Sequence, residues 1–266
     1  MPRNGESEIS SADGPYLSPG EEERQAAWYA AHRREIYRQL SARRWRRVLE
    51  IGCGSGVVAA ELAARASEIA VGLDRREEIL AAAVARASGA AFACADAGRL
   101  PFRAETFDAV VTSFTLLWLR AAEEGLEEAR RVLREGGVFV ALAEPDYEGA
   151  IDYPEGASTR EAVAAAIRRW GGDPAAGRKL PALLSRAGLE VFRFGVLNSA
   201  WTQERWSAEE SKEIELLGRL LSPEEEPALR SASQARAEAI ARGERCYFLP
   251  LFYAVARKAG ADRRAS

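Results

Sequence analysis

Three glycines at alternate positions, Gly52, Gly54 and Gly56, constrain this chain more than any other feature. Ahead of them, Val48-Leu49-Glu50-Ile51 is apolar and β-branched and closes around an acid, and after them Val57, Val58 and Leu62 recur at helical spacing. The pattern predicts a buried strand, a tight turn and a helix start. Alternate glycines let the backbone turn sharply and let a ligand come closer than a Cβ allows. The N–H groups of the new helix are expected to point at that ligand, which makes it nucleotide-like. A dinucleotide fingerprint, G-x-G-x-x-G/A, would place Gly or Ala at position 57, where this chain has Val57.

At 266 residues the chain can bury a full α/β core as one domain with a cap, or as two unequal domains. The net charge of −3 gives no global attraction to phosphate backbones. Lysine occurs only at Lys179, Lys212 and Lys258, so the basic charge is almost all arginine, a compositional bias and not a binding signature. Cys53, Cys94 and Cys246 form no C-x-x-C pair and read as reduced thiols. No apolar run is long enough to span a bilayer, and Met1-Pro2-Arg3-Asn4-Gly5 does not begin a signal peptide. The expectation is a soluble, cytoplasmic protein with no membrane partner.

Taken in order, residues 1–20 are rich in Gly, Pro, Ser and Glu and read as a flexible arm, or as one that folds over a ligand with Tyr16 as its anchor. Residues 21–46 read as a helical segment through Trp28, Ile36, Tyr37 and Leu40. This helix carries the only histidine, His32, either a surface or packing residue or the one side chain whose ordinary pKa suits a general base near neutrality. Arg43-Arg44-Trp45-Arg46-Arg47 reads as a solvated strand entrance or an anion contact. Ile69 to Asp74 reads as a second strand. Asp74 stands 22 positions after Gly52, the offset at which a second-strand carboxylate meets a ribose, and it can equally cap the next helix. Strands are predicted at Ala91–Cys94, Phe107–Phe114 and Val138–Ala143, with a helix before the last that ends on Gly136-Gly137 as a C-cap.

The strings Glu50-x-Gly52-x-Gly54-x-Gly56, Asp96-Ala97 after the third strand, and Arg131-Val132-Leu133-Arg134-x-Gly136-Gly137 together resemble class I S-adenosylmethionine-dependent methyltransferases. Within that class the likeness is to the methyltransferase-11-like, UbiE-like small-molecule branch, and it covers about residues 40–147. The resemblance implies an α/β, Rossmann-like seven-stranded mostly parallel sheet with an antiparallel last strand, plus helical cap elements. It implies S-adenosylmethionine as cofactor and S-adenosylhomocysteine as product. Gly52, Gly54 and Gly56 would then hold the methionine part, with Glu50 bracing the loop or the amino group. Asp74 would hold the ribose, Asp96 and Ala97 the adenine, and Arg75 would cover the adenine face. Cys53 and Ser113 join this cofactor set.

Methyl transfer from a sulfonium mainly requires orientation and exclusion of water, so few catalytic side chains are expected. His32 and Glu144 are the named candidates for a base, with Asp146 and Tyr147 beside them at the carboxyl edge of the sheet. Tyr16, Phe114, Asp146 and Tyr147 are the candidate substrate contacts. Thr112-Ser113-Phe114-Thr115 replaces the D/N-P-P-Y/F string that amino-methylating enzymes of adenine or glutamine carry in similar families, and no Pro-Cys pair is present. No cluster has metal-ligand spacing, and no basic stripe with interleaved aromatics suggests nucleic acid.

The expected domain layout is an arm at 1–20, a helical segment at 21–46 and a cofactor core at 47–147. The rest of the sheet, with cap insertions near 148–172 and 201–242, occupies 148–266. Helices are expected at Ser158–Trp170, Leu180–Ala187, Trp201–Leu221 and Pro227–Arg242, and strands at Leu189–Leu197 and Cys246–Ala256. Aromatics in the cap (Tyr153, Trp170, Trp201, Trp206) read as core or as the lining of a pocket for a small apolar acceptor. The expected activity is methyl transfer to an O, N or C atom of a small molecule by a monomer or homodimer. Methylation of a protein, or a non-catalytic cofactor-binding role beside another methyltransferase, are the alternatives.

Overall fold

The computed structural model describes residues 16–42, 45–197 and 225–258. The expected helix at Trp201–Leu221, Arg43-Arg44 and the first fifteen residues of the arm lie outside the described residues. Among the described residues the strands are β1 (Arg47–Ile51), β2 (Ile69–Asp74), β3 (Ala90–Cys94), β4 (Phe107–Thr112), β5 (Leu133–Pro145), β6 (Ile151–Tyr153), β7 (Leu189–Val196), β8 (Cys246–Phe248) and β9 (Leu251–Lys258). The helices are α1 (Pro19–Trp28), α2 (Ala30–Gln39), α3 (Val57–Ala63), α4 (Glu77–Arg86), α5 (Ala122–Val132), α6 (Arg160–Arg169), α7 (Ala176–Arg186) and α8 (Glu226–Ala241).

Seven strands form one sheet in the order β3-β2-β1-β4-β5-β9-β7. Its neighbours from β3 to β5 run parallel, and β9 lies antiparallel between β5 and β7. This is the expected Rossmann-like sheet with an antiparallel last strand. Successive residues of a strand face opposite sides, so the sheet builds two apolar layers. Leu49, Ile51, Leu73, Val110 and Phe139 pack with Leu126 of α5 and Leu180 and Leu184 of α7. Val48, Ala109, Val111, Val140 and Leu142 face Val58 and Leu62 of α3 and Ile36 and Tyr37 of α2. All six residues of β4 are buried, which is why its sequence shows no polar alternation.

Several expectations are corrected. The helix expected through residues 21–40 breaks at Tyr29 (φ −120°, ψ 18°), whose buried side chain is drawn inward, and becomes α1 and α2. Helix α5 ends at Val132, not on the glycine pair. Gly136 (φ +69°) instead turns the backbone inside the stretch Leu133–Pro145, and a Cβ at Gly137 would lie 2.9 Å from the Arg134 carbonyl oxygen. The expected strand at Cys246–Ala256 divides at Leu249-Pro250 into β8 and β9, because proline has no N–H for the ladder. Strand β8 pairs with β6 in a second, two-stranded sheet that the sequence did not suggest. Arg46 and Arg47 are exposed and both pair with Glu68, as expected of a solvated strand entrance. No helix among the described residues is long and apolar enough to cross a membrane.

Gly56 has φ +79°, and a Cβ there would meet Ala83 of α4 at 3.0 Å. Gly56→Ala should therefore cost roughly 1–3 kcal/mol, from left-handed strain and a forced separation of α3 from α4. A urea midpoint checks this, and an unchanged midpoint would show that the turn relaxes freely.

Candidate functional site

Strands β1 and β4 pair up to Ile51 and Thr112 and then part. The chain leaves β1 into the glycine loop and β4 into Ser113-Phe114-Thr115. The crevice beyond the carboxyl ends of strands, where strand order reverses, is where open α/β sheets bind ligands. A cavity of about 370 Å³ lies there. Gly52, Cys53 and Gly54 form its floor. Asp74 to Arg76, Asp96 to Gly98 and Ser113 to Thr115 form its walls, and Tyr16, Glu22, Gln25, Ala26 and Tyr29 close it from the N-terminal side.

Each N–H of the glycine loop is already taken by the protein. Gly52 and Cys53 donate to the Leu73 carbonyl at 2.7 and 2.9 Å, and Gly56 donates to the Cys53 carbonyl at 2.9 Å. Gly54 donates to Asp74 Oδ2 at 2.9 Å, and Ser55 donates to Glu22 Oε2 at 2.6 Å. These five loop groups are thus used inside the protein. The glycines serve close approach of the protein to itself: a Cβ would meet Thr115 at Gly52, Glu22 at Gly54 and Ala83 at Gly56.

What the loop region presents to the cavity is carboxylate. Asp74 is buried, and its Oδ1 also accepts from the Arg76 backbone N–H at 3.0 Å, so it braces the turn into α4 as well as the loop. Glu50 is 2% exposed, and its Oε2 has no hydrogen-bond partner among the described residues. Burial pushes its carboxyl well above the usual range; Arg33 opposes this, and Glu22, Glu61 and Asp74 add to it. Burial likewise raises the Cys53 thiol, so this cysteine is no nucleophile. Asp96 is exposed and accepts from Gly98 N–H at 2.7 Å at the other end of the cavity, with Ala97 buried beneath.

Beyond β4, Phe114 adopts φ +51°, a conformation unusual for an aromatic residue, and its N–H donates to the Ala143 carbonyl. Its ring lies 5.5 Å from that of Tyr29. The Tyr29 hydroxyl shares a 2.7 Å hydrogen bond with Ser113 Oγ, and burial pushes its pKa up to about 12, so it stays protonated. Trp118 and Tyr147 line the same cavity and pack with α6 and α8.

The sequence-expected cofactor set, Glu50, Gly52, Cys53, Gly54, Asp74, Arg75, Asp96, Ala97 and Ser113, therefore converges on one cavity, as do Tyr16, Phe114 and Tyr147. Gly56 sits behind the loop. Three further candidates do not reach the cavity. His32 is on α2, outside its lining. Asp146 is buried, bound by both arms of the Arg178 guanidinium and by Gly149 N–H. Glu144 is fully buried behind the turn after β4, where Thr115 and Leu116 donate their N–H groups to its two oxygens at 3.2 and 3.1 Å. Burial pushes Glu144 to about 7, partly offset by the N–H groups of Leu116, Thr115 and Leu117. That value suits a base, but geometry comes first and the carboxylate has no path to the cavity. Sequence reasoning missed Glu22, Tyr29, Arg76 and Trp118. The sequence placed a helical segment at residues 21–46 without saying which of its faces meets the loop. Among the described residues no group of three or more His, Cys, Asp or Glu could hold a metal ion.

Residues 49–141 match the family model described as a methyltransferase domain. The chain is 39% identical over 108 residues to a demethylmenaquinone methyltransferase of Beutenbergia cavernae, covering 41% of this chain and 45% of that protein. It is 32% identical over 107 residues to a malonyl-[acyl-carrier protein] O-methyltransferase of Enterobacter lignolyticus, covering 40% of this chain and 42% of that protein. The match thus spans less than half the length of either relative. Among solved structures, the N-methyltransferase NodS from Bradyrhizobium japonicum WM9, in complex with S-adenosylhomocysteine, shares the fold. Its TM-score is 0.52 at 17% identity, over 87% of each chain. Together these matches support a class I, S-adenosylmethionine-dependent methyltransferase domain over residues 49–141.

Glu144→Ala leaves two buried N–H groups without an acceptor and should cost on the order of 3 kcal/mol of stability. Chemical denaturation checks this. A variant of unchanged stability that has lost turnover would return Glu144 to the catalytic candidates.

Proposed function

We propose that this protein transfers a methyl group from S-adenosylmethionine to a small-molecule acceptor. The observation that carries the reading is a single cavity lined by carboxylates at the glycine loop and by aromatic rings at the far end of β4. With these loop N–H groups occupied, a phosphate there would face Glu22, Glu50 and Asp74 in place of donors, and the adjacent Arg76 is already paired with Glu22 and Asp74. A cationic adenosyl amino acid suits those groups, whereas the pyrophosphate of a dinucleotide does not. The buried, unpartnered Glu50 oxygen is an acceptor suited to an ammonium. Asp74 retains acceptor capacity for ribose hydroxyls, and the Asp96–Gly98 turn offers a carboxylate for the adenine amine.

When bound, the cofactor supplies an activated methyl on a sulfonium. The protein's part is to hold the acceptor in line and keep water out. Tyr29, Phe114, Trp118 and Tyr147 supply the apolar walls for this, and the protonated Tyr29 hydroxyl with Ser113 can orient an acceptor atom. With His32 and Glu144 away from the cavity, orientation replaces a dedicated base. Acceptor choice falls to the arm (1–20) and the cap segments near 148–172 and 201–242. The match to relatives whose names specify a quinone precursor and a carrier-bound malonyl group supports the small-molecule reading.

The test is incubation with methyl-labelled S-adenosylmethionine and separated small-molecule, protein and RNA fractions of a bacterial extract. The expected result is label in a small molecule. Label confined to protein or RNA would replace the acceptor class, and no label despite cofactor binding would favour a non-catalytic binding role. A second expectation concerns pH. Glu50 has a raised pKa in the free protein and a cationic ligand favours its ionised form, so binding releases a proton. Affinity should therefore rise with pH until free Glu50 itself ionises, and Glu50→Gln should flatten the profile. Calorimetric titration at several pH values reads this, and a flat wild-type profile would contradict it.

A further inference from the structure

We propose that Glu22, which comes from α1 and not from the sheet, determines cofactor specificity by holding the ammonium at the amino-acid end of the adenosyl ligand. The inference rests on the function proposed above and names a residue outside the methyltransferase core.

Glu22 lines the cavity, and its carboxylate reaches over the glycine loop. Oε2 accepts from Ser55 N–H at 2.6 Å and Oε1 accepts from Arg76 at 3.3 Å, with the side chain 18% exposed. At Gly54 an added Cβ would lie 2.5 Å from the same carboxylate, so the loop has no side chain where Glu22 enters. A carboxylate oxygen offers two lone-pair directions, and each Glu22 oxygen has one donor from the protein. Capacity for a ligand cation remains. Glu50 points independently to such a ligand: it is 2% exposed, lines the same cavity, and carries an oxygen with no partner among the described residues. A positive group lodged between these two carboxyl groups would satisfy that oxygen and favour the ionised form of Glu50.

Attachment of α1 does not need the Glu22 charge. Glu23 pairs with Arg86, whose Nε donates to the Ser55 carbonyl at 2.9 Å. Arg33 of α2 grips Glu61 of α3 through both arms of its guanidinium and donates to the Ala26 carbonyl at the end of α1. Glu22 is therefore free to act on the ligand while its neighbours hold the helix down.

The test compares two ligands that differ only at the end in question. S-adenosylhomocysteine carries the amino-acid group; 5′-methylthioadenosine has the same nucleoside and thioether without it. Glu22→Gln keeps an amide oxygen for Ser55 N–H and removes the charge. By calorimetry the variant should bind S-adenosylhomocysteine roughly tenfold or more weakly than wild type, with methylthioadenosine affinity unchanged within about twofold. Equal weakening of both ligands would mean that Glu22 only shapes the cavity, and would overturn the proposal. An unchanged affinity for S-adenosylhomocysteine would also overturn it, as would a tighter one, since the carboxylate would then be an obstacle. A wild type that binds neither ligand would remove the cofactor reading itself, and this proposal with it.

Discussion

The structure depends on how the glycine loop satisfies its own backbone. Five consecutive N–H groups, from Gly52 to Gly56, find acceptors inside the protein: the Leu73 and Cys53 carbonyls and the carboxylates of Asp74 and Glu22. A buried peptide donor must be paired, and the pairing chosen here leaves none of these five for an anion. The loop thus joins two strands and the N-terminal helix and sets the charge of what can lie against it. The carboxylates that accept from the loop also line the cavity, so structural bonding and ligand preference come from the same side chains.

Burial sharpens that preference. Glu50 lies at the end of a strand whose neighbours are fully buried, where an isolated charge is costly and a paired one is not. The same physics makes Glu144 a structural element. It sits equally deep, but two N–H groups at the turn after β4 donate to its oxygens, and it holds Thr115 and Leu116 in place below the cavity. Two acids at comparable depth thus take different roles because one is answered by the backbone and the other is left open to the cavity. Phe114, in its left-handed conformation, and Tyr29, at the break between α1 and α2, then bring aromatic surface to the side where an acceptor would lie.

Most of the core was legible from the sequence. Apolar strands separated by helical periods determine a parallel sheet, and the glycines with Asp74 and Asp96 mark its carboxyl edge, because each of those signals is local. Non-local features were harder to read. Nothing near Glu22 in the chain tells of Ser55, which is 33 residues away, and Tyr29, where the helix breaks, is hydrogen-bonded to Ser113, 84 residues on. Gly136-Gly137 looked like a helix end because glycine is common there, whereas the backbone needed it within a strand bend close to Asp108. Glu144 and Asp146 lie away from the cavity for a related reason. A suitable pKa or residue type can be guessed from sequence, but access to a cavity depends on packing, which buried Glu144 and tied Asp146 to Arg178.

The most direct measurement is the crystal structure of the protein with S-adenosylhomocysteine. The account predicts the ligand in the cavity between α1 and the glycine loop, its ammonium between Glu22 and Glu50, its ribose at Asp74 and its purine against Asp96–Gly98. A ligand lying elsewhere, or turned so that its own carboxylate meets Glu50, would contradict it.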